Sequence, residues 1–329
     1  MTPMKRIFNK GTISVWIGVF IGILYGLVVR LVFNYGKFWE AFAFMTVGFI
    51  FFVPVTLGVL TVYFGDWQGR KGWAYKILMP WVSCLVLLLA AFLIGWEGSI
   101  CILMALPVFL VMSSLGGVFT GLALQATRSR KNTFSVIALF VALPFLSASI
   151  EHQLLLPESV RTVETQITIN ASPHDVWQNI ERVRKIEPSE QKFSLFHLLG
   201  FPRPVEATLS HEAVGGVRHA TFEGGVLFVE TINKWAPDRE LTFAIQADSK
   251  SIPPTTLDEH VTIGGPYFDV LEGSYRIESL NERQVILHLS SKHRLSTRLN
   301  FYAGLWTEFI MRDIQKNILE IIKTRCENR

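Results

Sequence analysis

Histidines and carboxylates are the side chains here best able to do chemistry, and their spacing decides which chemistry is open. Of eight histidines, five (His211, His219, His260, His288 and His293) fall in or near strand-like segments, with Glu223 and Glu230 close in sequence. No His-x-His, His-x3-His or His-Glu-x-x-His spacing occurs, so no metal site is expected. The stretch from Leu257 to Asp269 sets Asp258, Glu259 and His260 before a Gly264-Gly265-Pro266 turn, followed by Tyr267 and Phe268. A carboxylate beside a histidine can serve in acid–base catalysis. The same residues equally suit a solvated loop tip whose two aromatics close a cavity mouth. His288 sits mid-strand and shares a face with Ile286 and Ser290; that face lines a cavity or meets water. Arg218, Glu230, Arg276 and Glu278 read as a cross-strand ladder on an outer sheet face. The alternative is one inward arginine that meets an anionic headgroup. There is no nucleotide-binding loop, metal box or nucleophile elbow, so no cofactor is expected and no catalytic set is singled out.

These candidates sit in a chain that divides in two. Half of the 329 residues are hydrophobic and 18% are charged, against roughly 25% charged in an average soluble protein. Residues 1–150 hold 11 Lys/Arg and 3 Asp/Glu, whereas residues 151–329 hold 20 and 24. Five apolar runs, at 13–33, 41–64, 77–96, 99–125 and 133–150, approach or exceed the ~20 residues that cross a bilayer as a helix. Trp39, Trp67, Trp73, Tyr75 and Trp96 stand near run ends, where amphipathic aromatics favour the headgroup layer. The first run lacks a small-residue cleavage site and reads as a retained helix. Arg30 lies near its end and is expected to snorkel to the interface. Pro54, Pro80, Pro107 and Pro144 mark possible kinks, and Gly116, Gly117 and Gly121 allow close helix packing.

Sidedness follows from basic residues in the short connections. Lys5, Arg6, Lys10, Arg70, Lys71, Lys76, Arg128, Arg130 and Lys131 all fall on one side of a five-span topology, which the positive-inside rule makes cytoplasmic. The alternate connections carry Lys37 with Glu40, then Glu97. Residues 151–329 are therefore expected outside the cytoplasmic membrane. The basic charges are accounted for by topology, and nucleic-acid binding is not indicated. The three cysteines, Cys84, Cys101 and Cys326, form no redox or zinc spacing.

Beyond a linker at 151–161 the periodicity changes from helix to strand. Val163, Thr165, Ile167 and Ile169 alternate with polar residues, then Ser172-Pro173 with Asp175 opens a helix carrying Val176, Trp177, Ile180 and Val183. A second short helical piece is expected around 188–191. Strands are expected at 216–222, 226–235, 240–246, 269–278 and 284–292, in an antiparallel meander. Glu223-Gly224-Gly225 supplies one hairpin turn. A long helix over 301–325 closes the chain. Its apolar face (Tyr302, Leu305, Trp306, Phe309, Ile310, Ile314, Ile318, Ile321 and Ile322) needs a sheet to cover it.

Over about 162–325 this order resembles the SRPBCC, or START-like, superfamily, the polyketide cyclase/dehydrase and lipid-transport group. The likeness rests on Val163–Asn170 followed by Ala171-Ser-Pro-His-Asp-Val-Trp177, on Gly216-Val-Arg-His-Ala-Thr-Phe222, and on the terminal helix. It implies a helix-grip α+β domain at 162–329, fused to an all-α membrane bundle at 1–150, with an apolar cavity between sheet and helix. The group has no universal catalytic residues, so none carries over. Cavity candidates are His260, Tyr267, Tyr275, His288 and Trp306. The apolar stretch from Phe193 to Phe201 reads as a lid, a membrane-dipping loop or core. The expected function is membrane-anchored binding of a lipid or other hydrophobic small molecule. The alternatives are a cyclase- or hydrolase-like enzyme using His260, Glu259 or His288, and a non-catalytic interaction module. The partners expected are the bilayer and a lipid or hydrophobic small-molecule ligand, and the oligomeric state is left open.

Overall fold

A computed structural model describes residues 10–34, 46–66, 68, 70–126, 130–151, 153–248 and 263–328. The chain forms two compact units, one carrying most of the apolar helices and the other made of Leu156–Arg329 together with Gly98–Ile100.

In the first unit, α1 is Lys10–Asn34, and a π turn at Gly48–Phe52 runs into α2 at Val53–Gly65. Helices α3 (Trp73–Ile94), α4 (Ser99–Ala126) and α5 (Arg130–Glu151) follow. With the π turn counted into α2 (Gly48–Gly65), all five are long and apolar enough to cross a membrane. Helix α2 is the most enclosed, because small residues let α4 approach its backbone. A Cβ on Gly58 would stand 1.9 Å from the Ser113 carbonyl oxygen, and one on Gly116 would stand 2.0 Å from that of Val55. Pro80, Pro107 and Pro144 lie inside their helices, and Pro54 sits where the π turn runs into α2. Trp39, Trp67, Lys37 and Glu40 lie outside the described residues. The Glu151 carboxylate accepts the Val47 and Gly48 amides at 2.7 and 2.8 Å. An anion there meets the positive end of the helix dipole.

Arg30 does not snorkel. It is buried, with Nε donating to Glu97 Oε1 at 2.6 Å and Nη2 to the Trp96 carbonyl at 2.8 Å. An arginine near a helix end reaches water only if no acid lies closer, and here the turn after α3 supplies one. Lys76, expected in a loop, lies in the first turns of α3 and is buried.

The second unit opens with β1 (Ser159–Ile169) and α6 (Pro173–Glu181). Ser172 caps α6 by accepting the Asp175 amide, with Pro173 at the first turn, as its sequence signature implies. Then come α7 (Leu195–Leu198), β2 (Pro204–Leu209), β3 (Val217–Phe222) and β4 (Leu227–Ala236). They are followed by β5 (Glu240–Asp248), β6 (Phe268–Asn281), β7 (Gln284–Leu295) and α8 (Asn300–Glu327). The seven strands form one antiparallel sheet in the order β1-β7-β6-β5-β4-β3-β2. The sequence pattern locates six of these strands; β2, whose Val205, Ala207 and Leu209 alternate with Glu206 and Thr208, is the one it leaves unplaced. The β3–β4 turn uses Gly224 and Gly225 at φ 72° and 81°, where a Cβ would be strained.

The core lies between the sheet, α6 and the C-terminal half of α8. Ile232, Leu241, Phe243, Tyr275, Ile277, Val285, Leu287 and Leu289 meet Val176, Trp177, Ile180, Leu319, Ile322 and Cys326. Each fully buried side chain contributes about 1.5–3 kcal/mol. Trp177 meets Trp235 edge-on at 5.0 Å. This sheet wrapped on a long terminal helix is a helix-grip fold.

The first half of α8 departs from its amphipathic pattern. Ala303, Gly304 and Thr307 are buried there, whereas Leu305 and Phe309 are exposed. The cause is a polar seam towards β1 and β7. Gln315 Nε2 donates to the Val163 carbonyl and to Ser291 Oγ, and the Thr165 hydroxyl donates to Gln315 Oε1. The Arg161 guanidinium lies over Gly304 and reaches Glu308 at 3.1 Å. These contacts set the rotation of the helix.

Candidate functional site

Strand pairing puts a charged pair inside the domain. Antiparallel register sets Arg218 of β3 opposite Glu230 of β4, with both side chains on one face. Ala220 and Ile232 share that parity and are buried, so the face is the inner one; His219 and Thr231 point to solvent. Arg218 Nη1 donates to Glu230 Oε2 at 2.6 Å, and both side chains are almost wholly buried.

Two aromatic rings enclose the guanidinium. Its Cζ stands 5.3 Å from the Phe243 ring centre and 5.9 Å from that of Tyr275, within cation–π range. Phe243 finds its place because its cross-strand partner is Gly273, where a Cβ would come within 2.5 Å of the ring. Burial pushes the Glu230 carboxyl above its ordinary value, and Arg218 pulls it back. Burial also raises the Tyr275 phenol. Arg218 Nε has no hydrogen-bond partner among the described residues. The site can therefore offer one N–H donor, in an aromatic setting, to a polar or anionic atom.

The ladder expected on the outer face is thus half inverted. Arg276 and Glu278 do stand outside, with Arg276 at 3.5 Å from Glu164 and 3.7 Å from Glu278. Arg218 and Glu230 stand inside. Period-two alternation assigns strand residues to two faces without saying which face is buried, and both faces of β3 and β4 mix polar with apolar side chains.

The five cavity candidates do not converge. Tyr275 is one of the rings around Arg218. His288 is on the outer face, with Nδ1 at 2.8 Å from Glu164 and Nε2 at 3.1 Å from Glu278, along a polar groove that also includes Lys234, Glu240, Thr242, Glu272, Ser274 and Ser290. Of the two faces left open for it, His288 occupies the one turned from α8. Trp306 is half-buried on α8, where its ring meets Tyr302 edge-on at 6.4 Å and Phe309 at a tilt at 6.5 Å. Tyr267 is half-buried before β6, and its carbonyl accepts the Ser296 amide. His260 and Glu259 lie outside the described residues. Among the described residues no His/Cys/Asp/Glu group could hold a metal ion.

His293 is a histidine whose place the sequence left open. It points inward at the polar seam, 3.3 Å from the Thr307 hydroxyl, beside the Phe268 ring. Burial and the nearby Arg161 cation lower its pKa, with Glu308 opposing.

No family model matches this chain, and no curated protein matches it. Solved structures do. A START superfamily protein from Mycobacterium smegmatis is 11% identical, covering 51% of this chain and 97% of its own at a TM-score of 0.35. The Zhui aromatase/cyclase from Streptomyces sp. R1128 is 15% identical, covering 52% and 96% at 0.34. Norcoclaurine synthase from Thalictrum flavum, solved with dopamine and hydroxybenzaldehyde, is 11% identical, covering 51% and 86% at 0.31. Each covers about half of this chain at low identity. The fold assignment stands on the strand order and terminal helix described above, and the residues of the site stand on their own geometry.

Proposed function

We propose that this chain is a membrane-anchored binding protein for a lipid or other amphiphilic small molecule, held on the extracytoplasmic side of the cytoplasmic membrane for sensing, presentation or transfer. The carrying observation is the inward Arg218–Glu230 pair ringed by Phe243 and Tyr275. A buried ion pair is commonly no more stabilising than apolar packing of the same volume, and often less. Keeping one at the wall of an otherwise apolar core, with Nε unused, suits recognition of a polar or anionic group on an apolar ligand. The five apolar helices support anchorage, and the bias of Lys and Arg towards one set of connections supports the assigned side.

Purifying the full chain in mild detergent, followed by native mass spectrometry and extraction of bound lipid, tests this reading. Wild type is expected to retain an apolar molecule that Arg218→Met and Arg218→Lys both lose. Annular lipid on α1–α5 is common to all three proteins and cancels in the comparison. Equal retention by the three would overturn the assignment of Arg218, and an empty wild type the binding reading itself. An alkaline phosphatase fused at the C-terminus should be active in cells; a dark phosphatase with a bright GFP fusion would reverse the sidedness.

A further inference from the structure

The first half of α8 carries an apolar stripe that no described part of the chain covers. Phe301, Leu305 and Phe309, spaced i, i+4, i+8, are 68%, 65% and 48% exposed, and they run about 12 Å along one side of the helix. At its far end Phe309 meets the Phe196 ring of α7 at 5.3 Å, and the exposed Phe193 (83%) and Leu198 (70%) extend the surface there. The Ser194 hydroxyl and the Phe196 amide, both donating to the Asp313 carboxylate, pin α7 to α8, so the two segments present one face. At the near end Asn300 Nδ2 donates to the Pro157 carbonyl at 2.7 Å, with exposed Leu156 and Val160 beside it in sequence. Contiguous exposed apolar side chains in such number mark an interaction surface.

Chain length says what that surface can reach. Pro157 follows Glu151, the last residue of α5, by six residues. Fully extended, they span no more than about 22 Å. The start of α8 is therefore tied within that distance of the end of a helix apolar enough to cross a bilayer. Exposed Lys192, next to Phe193, and exposed Arg312, one turn beyond Phe309, add cations at the rim. Apolar side chains bordered by Lys and Arg suit the boundary between anionic headgroups and acyl chains.

We propose that this face, built from Phe193, Leu198, Phe301, Leu305 and Phe309, docks on the lipid surface of the bilayer that holds α1–α5. The proposal rests on those helices spanning a membrane, but not on any ligand within the domain or on which side it lies.

The test uses the full chain, with Cys84, Cys101 and Cys326 replaced by alanine, at one copy per nanodisc of phosphatidylethanolamine and phosphatidylglycerol. Spin labels go on Leu305→Cys and Leu198→Cys, on Glu320→Cys as an exposed reference from the second half of α8, and on Leu139→Cys in α5 as a check on the spanning premise. Labels at 305 and 198 are expected to be reached by oxygen more than by a water-soluble nickel chelate, with the reverse at 320. Adding Phe301→Glu should swing the 198 label towards the chelate. Chelate access at 305 and 198 equal to that at 320 places the face in water and overturns the proposal. Exclusion of both reagents overturns it too, and assigns the face to protein cover such as residues 249–262. An aqueous label at 139 overturns the premise instead, which separates the two failures.

Discussion

Removing one partner of the inward pair should cost more than removing both. In Glu230→Gln the Arg218 guanidinium keeps its burial and its rings but loses the carboxylate at 2.6 Å. In Arg218→Met the carboxylate is stranded instead. Breaking a buried pair on one side costs about 3–5 kcal/mol, whereas replacing both members by apolar groups of similar volume is often neutral or stabilising by about 1–4 kcal/mol. The double variant Arg218→Met/Glu230→Leu should therefore unfold near the wild type. The two singles should lie well below it, giving a coupling of several kcal/mol in the double-mutant cycle. With a urea slope of ~1–3 kcal/mol/M, each single should lower the unfolding midpoint by at least about 1 M. The edge-on Trp177–Trp235 pair in the core reports unfolding of this domain through its exciton circular dichroism, so the full chain can be used in nanodiscs. Singles that cost under about 1 kcal/mol, or a double that costs their sum, would show that the pair is not sequestered from water. The placement of the site would then be wrong.

Two further outcomes follow from groups described above. His293 is held below its ordinary pKa of 6.5 by burial and by Arg161, while Thr307 and Glu308 of α8 and the Phe268 ring complete its surroundings. The unfolded imidazole therefore takes up a proton more readily than the folded one. The contribution of the neutral form is complete above about pH 6.5 and is lost as pH falls below that value. Thermal unfolding between about pH 7.5 and 5 should show a loss that is smaller in His293→Gln; an identical slope in the two proteins would count against it. Separately, Ser172→Ala removes the cap on α6. It should cost about 1 kcal/mol, read as a lower urea midpoint, and Ser172→Asp should restore most of it.

How far the sequence reaches depends on whether a feature is local. The five apolar helices are legible because each run is long and apolar on all sides, a property of contiguous residues that any partner geometry preserves. The α6 start is legible because Ser172, Pro173 and Asp175 act on one another within a single turn. The strands of the second half are legible through their alternation and through the glycines at 224 and 225.

The candidate site is of another kind. Nothing within a few residues of Arg218 tells whether its face of β3 is the inner one. That is decided by register with β4 and by where α8 and α6 cover the sheet, contacts made across long stretches of chain. The same holds for Arg30, whose burial depends on Glu97 in a turn 67 residues away. It holds also for α8, whose pattern favours one rotation while Arg161, Gln315 and His293 hold another. Local sequence sets which elements form and which side chains share a face. Only packing between distant segments decides which faces are hidden, because burial is a property of the partner as much as of the residue.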